Sequence, residues 1–89
     1  MIERELLVSN RLGLHARATA KLVQLLSSHD VSATLTAKGR EVNARSIMGV
    51  MLLAAGPGTA VTLRVDGPDE AAAAEAVVAL FERRFDEDG

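Results

Sequence analysis

The side chains with the clearest chemical potential in this 89-residue chain are His15 and Arg17, set two residues apart where a periodic segment begins. From Ala16 to Ser27, Thr19, Leu22, Val23 and Leu26 recur at helical spacing. His15 therefore stands at a predicted helix N-terminus, where free backbone N–H groups and the helix dipole favour an anion. The same positive end disfavours imidazolium, so a neutral and nucleophilic ring is expected at physiological pH. A phosphoryl group captured there would meet N–H donors and the Arg17 guanidinium, which pairs bidentately with phosphate oxygens. Taken alone, a His beside an Arg at a helix start more often serves only capping and solubility. The second histidine, His29, falls in Ser27-Ser28-His29-Asp30 and reads as a solvated loop residue. Two histidines without a carboxylate cluster make no metal site, and no catalytic triad is suggested.

Ser46 is the second candidate. It precedes Ile47-Met48-Gly49-Val50-Met51-Leu52, a short helix that its hydroxyl is placed to cap. That helix carries more apolar surface than it can bury. Ile47, Met48 and Met51 are expected to line a partner-docking patch with Leu14 and Ala20, since exposed methionines adapt to several partners.

The elements that position these residues follow from periodicity and breaks. Ile2, Leu6 and Val8 share one strand face, interrupted by Arg4, and Arg11 to Leu14 form a loop. Val31, Ala33 and Leu35 alternate with polar residues, Lys38-Gly39 makes a turn, and Arg40 to Asn43 return as a partner strand. Val61, Leu63 and Val65 alternate cleanly. Asp69 is predicted to cap an alanine-rich helix from Ala71 to Phe85, with a stripe of Ala74, Val77, Val78, Phe81 and Phe85. Asp86 to Gly89 read as a frayed acidic end. The order β-α-β-β-α-β-α, with no linker or repeat, predicts a single domain over residues 1–89, an α/β two-layer sandwich on an antiparallel sheet.

Composition excludes several classes. The formal net charge of −2 is spread along the chain and Phe81 and Phe85 are its only aromatics, so a nucleic-acid surface is not expected. There is no cysteine, hence no disulfide framework or thiolate metal site. No apolar run approaches the roughly 20 residues that span a bilayer, and the charged start lacks a signal peptide's apolar region. A cytoplasmic protein without cofactor, metal or membrane insertion is expected.

Gly13-Leu14-His15-Ala16-Arg17 resembles the active-site motif of the HPr family, phosphocarriers of the bacterial phosphoenolpyruvate-dependent phosphotransferase system. Val42 to Met51 resembles that family's motif around a regulatory serine, here Ser46. The likeness covers nearly the whole chain. It implies that His15 accepts phosphate at Nδ1 from phosphorylated Enzyme I and passes it to Enzyme IIA-type acceptors, with Arg17 stabilising the phosphoryl group. It also implies phosphorylation of Ser46 by HPr kinase/phosphorylase and an open-faced sandwich of strand order 1-4-2-3 with three helices on one face. Such a protein is a carrier rather than an enzyme, and a monomer suits a histidine that meets successive partners. The main alternative is a regulatory phosphoprotein of a nitrogen-related branch; a small ligand-binding domain with an incidental histidine is the other. Many family members have proline where this chain has Ala18, which loosens the restraint on Arg17.

Overall fold

A computed structural model describes residues Met1–Glu87. Four strands, β1 (Ile2–Leu7), β2 (Ser32–Ala37), β3 (Arg40–Asn43) and β4 (Ala60–Asp66), form one antiparallel sheet in the order β1-β4-β2-β3. Helices α1 (Ala16–Ser27), α2 (Ile47–Leu52) and α3 (Glu70–Glu82) complete the expected order.

The register explains the two layers. Leu6 faces Val61, Ala33 faces Val65 and Leu35 faces Leu63, so the apolar residues of neighbouring strands fall on one face. That face is buried under the helices, with α3 against β1 and β4, and α1 against α2 and α3. The opposite face carries polar pairs such as Glu3 and Arg64, whose side chains bond at 2.7 Å. The four fully buried leucines Leu22 and Leu26 of α1, Leu35 of β2 and Leu63 of β4 belong to one core cluster. Burying each such side chain is worth about 1.5–3 kcal/mol.

Two local expectations need correction. Asp69 occupies the N-cap position of α3 but makes no capping bond, because its backbone (φ −98°, ψ 19°) is not extended. Its carboxylate instead accepts the Asp30 N–H at 3.1 Å, tying the α1–β2 turn to the start of α3. The other concerns α3, which ends at Glu82 and does not continue to Phe85. Arg84, Phe85 and Asp86 follow in left-handed conformations (φ 54°, 57° and 60°). This reversal buries Phe85 completely against Phe81, with ring centroids 4.8 Å apart. The stripe reading gave Phe85 the right burial by the wrong backbone.

Candidate functional site

The loop before α1 is shaped by Gly13. Its φ of +68° is costly for other residues, and a Cβ there would lie 2.6 Å from the Ala55 carbonyl oxygen. That close approach lets the Leu14 N–H donate to Ala55 O at 2.9 Å, which joins the loop to the segment after α2. Leu14 then inserts into the core, and Thr19 Oγ1 donates back to its carbonyl at 3.2 Å. His15 is left as the N-cap of α1, in extended backbone (φ −82°, ψ −177°) and partly exposed.

The two ring nitrogens of His15 meet different surroundings. Nδ1 accepts a long bond of 3.4 Å from the Arg17 N–H, so it faces the free N–H groups of the helix end. Nε2 lies 2.6 Å from Glu87 Oε2. The carboxylate is itself held, since Asn10 Nδ2 donates to Glu87 Oε1 at 2.9 Å and to Gly13 O at 2.8 Å. These bonds, first the one from Asn10, hold the Glu87 carboxyl below its usual range. Lys21, one turn beyond Arg17, donates to the Phe85 carbonyl at 2.6 Å and lies 3.7 Å from Asp86. His15 thus sits in an open cleft of about 730 Å³ whose charged walls are Arg11, Arg17, Lys21, Asp86 and Glu87. Three cations thus line the cleft that holds the histidine, and the Arg17 side chain is exposed, two residues from the ring.

Several site residues escaped the sequence reading. Lys21 was detectable, because it follows Arg17 by four residues on the same helix face. Asn10 and Glu87 carry no local signal; one is a loop amide and the other lies 72 residues from His15. Asp86 and Glu87 are accordingly not a frayed end. The remaining two residues of that expectation, Asp88 and Gly89, lie outside the described residues. His29 also differs from a purely solvated loop residue, for its Nδ1 lies 3.0 Å from the Leu25 carbonyl at the end of α1.

The second candidate region is as local as the sequence suggests. Asn43 Oδ1 accepts the Arg45 N–H at 2.9 Å, turning the chain so that Ser46 becomes the N-cap of α2. Ser46 Oγ accepts the Gly49 N–H at 3.1 Å. Of the expected docking residues, Ile47, Met48 and Met51 are exposed, and Leu52 and Leu12 add to the apolar surface. Leu14 departs from the expectation: at 5% exposure it anchors the loop in the core instead of offering a surface, and Ala20 is half-buried.

Among the described residues, no helix is long and apolar enough to cross a membrane. No group of three or more His, Cys, Asp or Glu side chains among them is arranged to hold a metal.

Comparison with known proteins supplies the family. The model described as "PTS HPr component phosphorylation site" matches residues 2–83. The chain is 62% identical over 88 residues to the phosphocarrier protein HPr of Xylella fastidiosa strain 9a5c, covering 99% of each chain. It is 52% identical over 87 residues to that of Cupriavidus necator, covering 98% of each. The crystal structure of HPr-C-His from Thermoanaerobacter tengcongensis superposes with a TM-score of 0.96 at 38% identity, covering all of both chains. With the fold, the histidine at its helix end and these likenesses together, the chain belongs to the HPr family of phosphocarrier proteins of the phosphotransferase system, carriers rather than enzymes.

Proposed function

We propose that the protein relays phosphoryl groups through His15, taking them from phosphorylated Enzyme I and handing them to Enzyme IIA-type acceptors in the cytoplasm. The observation that carries this reading is the position of His15 Nδ1 at the N-terminus of α1, within a cleft walled by Arg11, Arg17 and Lys21. A phosphoryl group on Nδ1 would meet backbone N–H donors and the Arg17 guanidinium, both suited to its oxyanions. The exposed apolar surface of Ile47, Met48 and Met51 supports docking of more than one partner, and a monomer leaves it open.

Ser46 is the proposed regulatory site, modified by HPr kinase/phosphorylase. Its hydroxyl caps α2, where a dianion is electrostatically tolerated, so modification would act on docking more than on folding.

Incubation with phosphoenolpyruvate and Enzyme I, followed by mass spectrometry, tests the relay. One phosphoryl group is expected, acid-labile as an N–P bond should be, and absent from His15→Ala. Robust labelling of His15→Ala would overturn the assignment. Labelled protein that passes nothing to a sugar-transport acceptor would instead favour the regulatory, nitrogen-branch reading.

A further inference from the structure

The proton inventory around His15 fixes more than its place at a helix end. An ionised carboxylate only accepts hydrogen bonds, so the 2.6 Å contact at Glu87 Oε2 requires the proton to be on His15 Nε2. The opposite nitrogen faces the Arg17 N–H, a donor, and therefore presents its lone pair. Two independent contacts thus select one tautomer of the neutral ring.

Asn10 shows that the carboxylate is held in place and has not merely drifted there. Asn10 is fully buried, and both hydrogens of its amide are used, one on Gly13 O and one on Glu87 Oε1. Its own Oδ1 is buried without a partner. A buried carbonyl oxygen left without a partner is destabilising, because its lost hydration is not replaced. Flipping the amide would be worse, because the oxygen would then face two acceptors. The fold therefore tolerates an unsatisfied acceptor so that the donor end can bridge the His15 loop and Glu87. Arg11, Arg17, Lys21 and Asp86 are the other charged groups of this cleft, and none of them is hydrogen-bonded to Nε2.

We propose that Glu87 is a positioning residue for phosphoryl transfer, held by Asn10 so that its carboxylate keeps the proton on His15 Nε2 and leaves Nδ1 as the nucleophile. The inference rests on the reading of His15 as phosphoryl acceptor. In the forward step the Nδ1 lone pair forms the N–P bond, and the bond from phosphorus to the donor's leaving atom breaks with its electron pair. No proton moves, because Nε2 already holds one. The ring becomes a phosphorylated imidazolium whose positive charge the Glu87 carboxylate offsets at 2.6 Å. Passing the group on reverses the electron flow and regenerates the same tautomer.

A carboxylate is needed, since two donors, Asn10 Nδ2 and His15 Nε2, converge on it. A glutamine in its place offers one carbonyl oxygen for those two donors. Its amide would have to face either Asn10 or the ring, and against the ring it would donate to Nε2 and move the proton to Nδ1.

The test uses imidazole ¹⁵N chemical shifts of the unphosphorylated full-length protein, recorded at pH about 8.5, where an ordinary imidazole is neutral. The expected result is a single Nε2–H tautomer in the native protein and a detectable Nδ1–H population in Glu87→Ala and Glu87→Gln. Initial labelling rates with Enzyme I should fall on the order of tenfold in both variants, as for a misoriented reacting group. Glu87→Asp, which keeps both acceptors, should recover part of the loss. Tautomer populations and labelling rates that match the native protein in both Glu87→Ala and Glu87→Gln would overturn the proposal. Native protein that Enzyme I cannot label would overturn the relay itself, and the ¹⁵N comparison would still decide whether Glu87 sets the tautomer.

Discussion

His15 and Ser46 both act as N-caps, and both were legible because capping is local chemistry. The cap needs one acceptor side chain within three residues of a free N–H, a relation that sequence spacing states directly. The roles of Asn10 and Glu87 were not legible, because their partners meet only after the chain has closed over 72 residues. At Ser46 the cap makes a graded prediction possible. Ser46→Ala removes the 3.1 Å acceptor of the Gly49 N–H and should cost about 0.5–2 kcal/mol in urea denaturation. Ser46→Asp replaces it with a carboxylate, another good cap, so stability should stay within about 1 kcal/mol of native. If the docking patch is the one proposed, the added charge beside Ile47 and Met48 must be desolvated on association. Phosphoryl acceptance from Enzyme I should then slow while the melting temperature holds. Native transfer kinetics in a folded Ser46→Asp protein would leave Ser46 a cap alone.

Among the elements, α1, β3 and α2 match their predicted spans residue for residue, because each is bounded by a cap or a tight turn. The α3 terminus does not. Val77, Phe81 and Phe85 lie at i, i+4 and i+8, so periodicity alone extends the helix, and no glycine or proline marks its end. The structure leaves the helix at Arg83 and spends three consecutive left-handed residues, each costing roughly 1–2 kcal/mol. What offsets that strain is the complete burial of Phe85, its contact with Phe81, and the 2.6 Å bond from Lys21 to its carbonyl. Removal of the ring should therefore release the whole segment. Phe85→Ala is expected to cost about 3–5 kcal/mol, a large share of the stability of a domain this size. It should also free Glu87, so that His15 in Phe85→Ala shows the tautomer mixture of Glu87→Ala. Phe85→Leu, which fills most of the cavity, should keep the native tautomer. A Phe85→Ala protein with native denaturation and native ring shifts would mean that the reversed tail is not held by its phenylalanine.

On the scale of the whole molecule, ion pairs tie the chain's beginning and the end of its described part to the body of the fold. The Met1 amine lies 3.0 Å from Glu70 at the start of α3, and Arg83 and Lys21 flank Asp86 at the other end. The bond from the Met1 amine lowers the Glu70 pKa, the bond from Arg83 lowers that of Asp86, and Asn10 lowers that of Glu87. Carboxylates with folded values below their unfolded ones contribute stability that is complete above the unfolded range, near pH 4–4.5, and lost as pH falls through the folded values. The Met1 amine is raised above its ordinary 8.0, chiefly by its bond to Glu70. Its contribution has the opposite sign: complete below about pH 8 and lost as pH rises through the raised value. The contribution of these four groups to stability, measured by denaturant, should thus be complete between roughly pH 5 and 8 and decline on both sides. The Met1 amine and Asp86 are exposed and Glu70 and Glu87 partly buried, so the alkaline decline should be the shallower of the two, and added salt should flatten it further. The chain has no cysteine or tyrosine, which leaves the amine as the main group that titrates just above pH 8. Glu70 is the leading partner of that amine, so Glu70→Gln should weaken the alkaline decline and part of the acid one together. An alkaline decline that survives Glu70→Gln at full size would place its origin elsewhere than in the bond between Met1 and the start of α3.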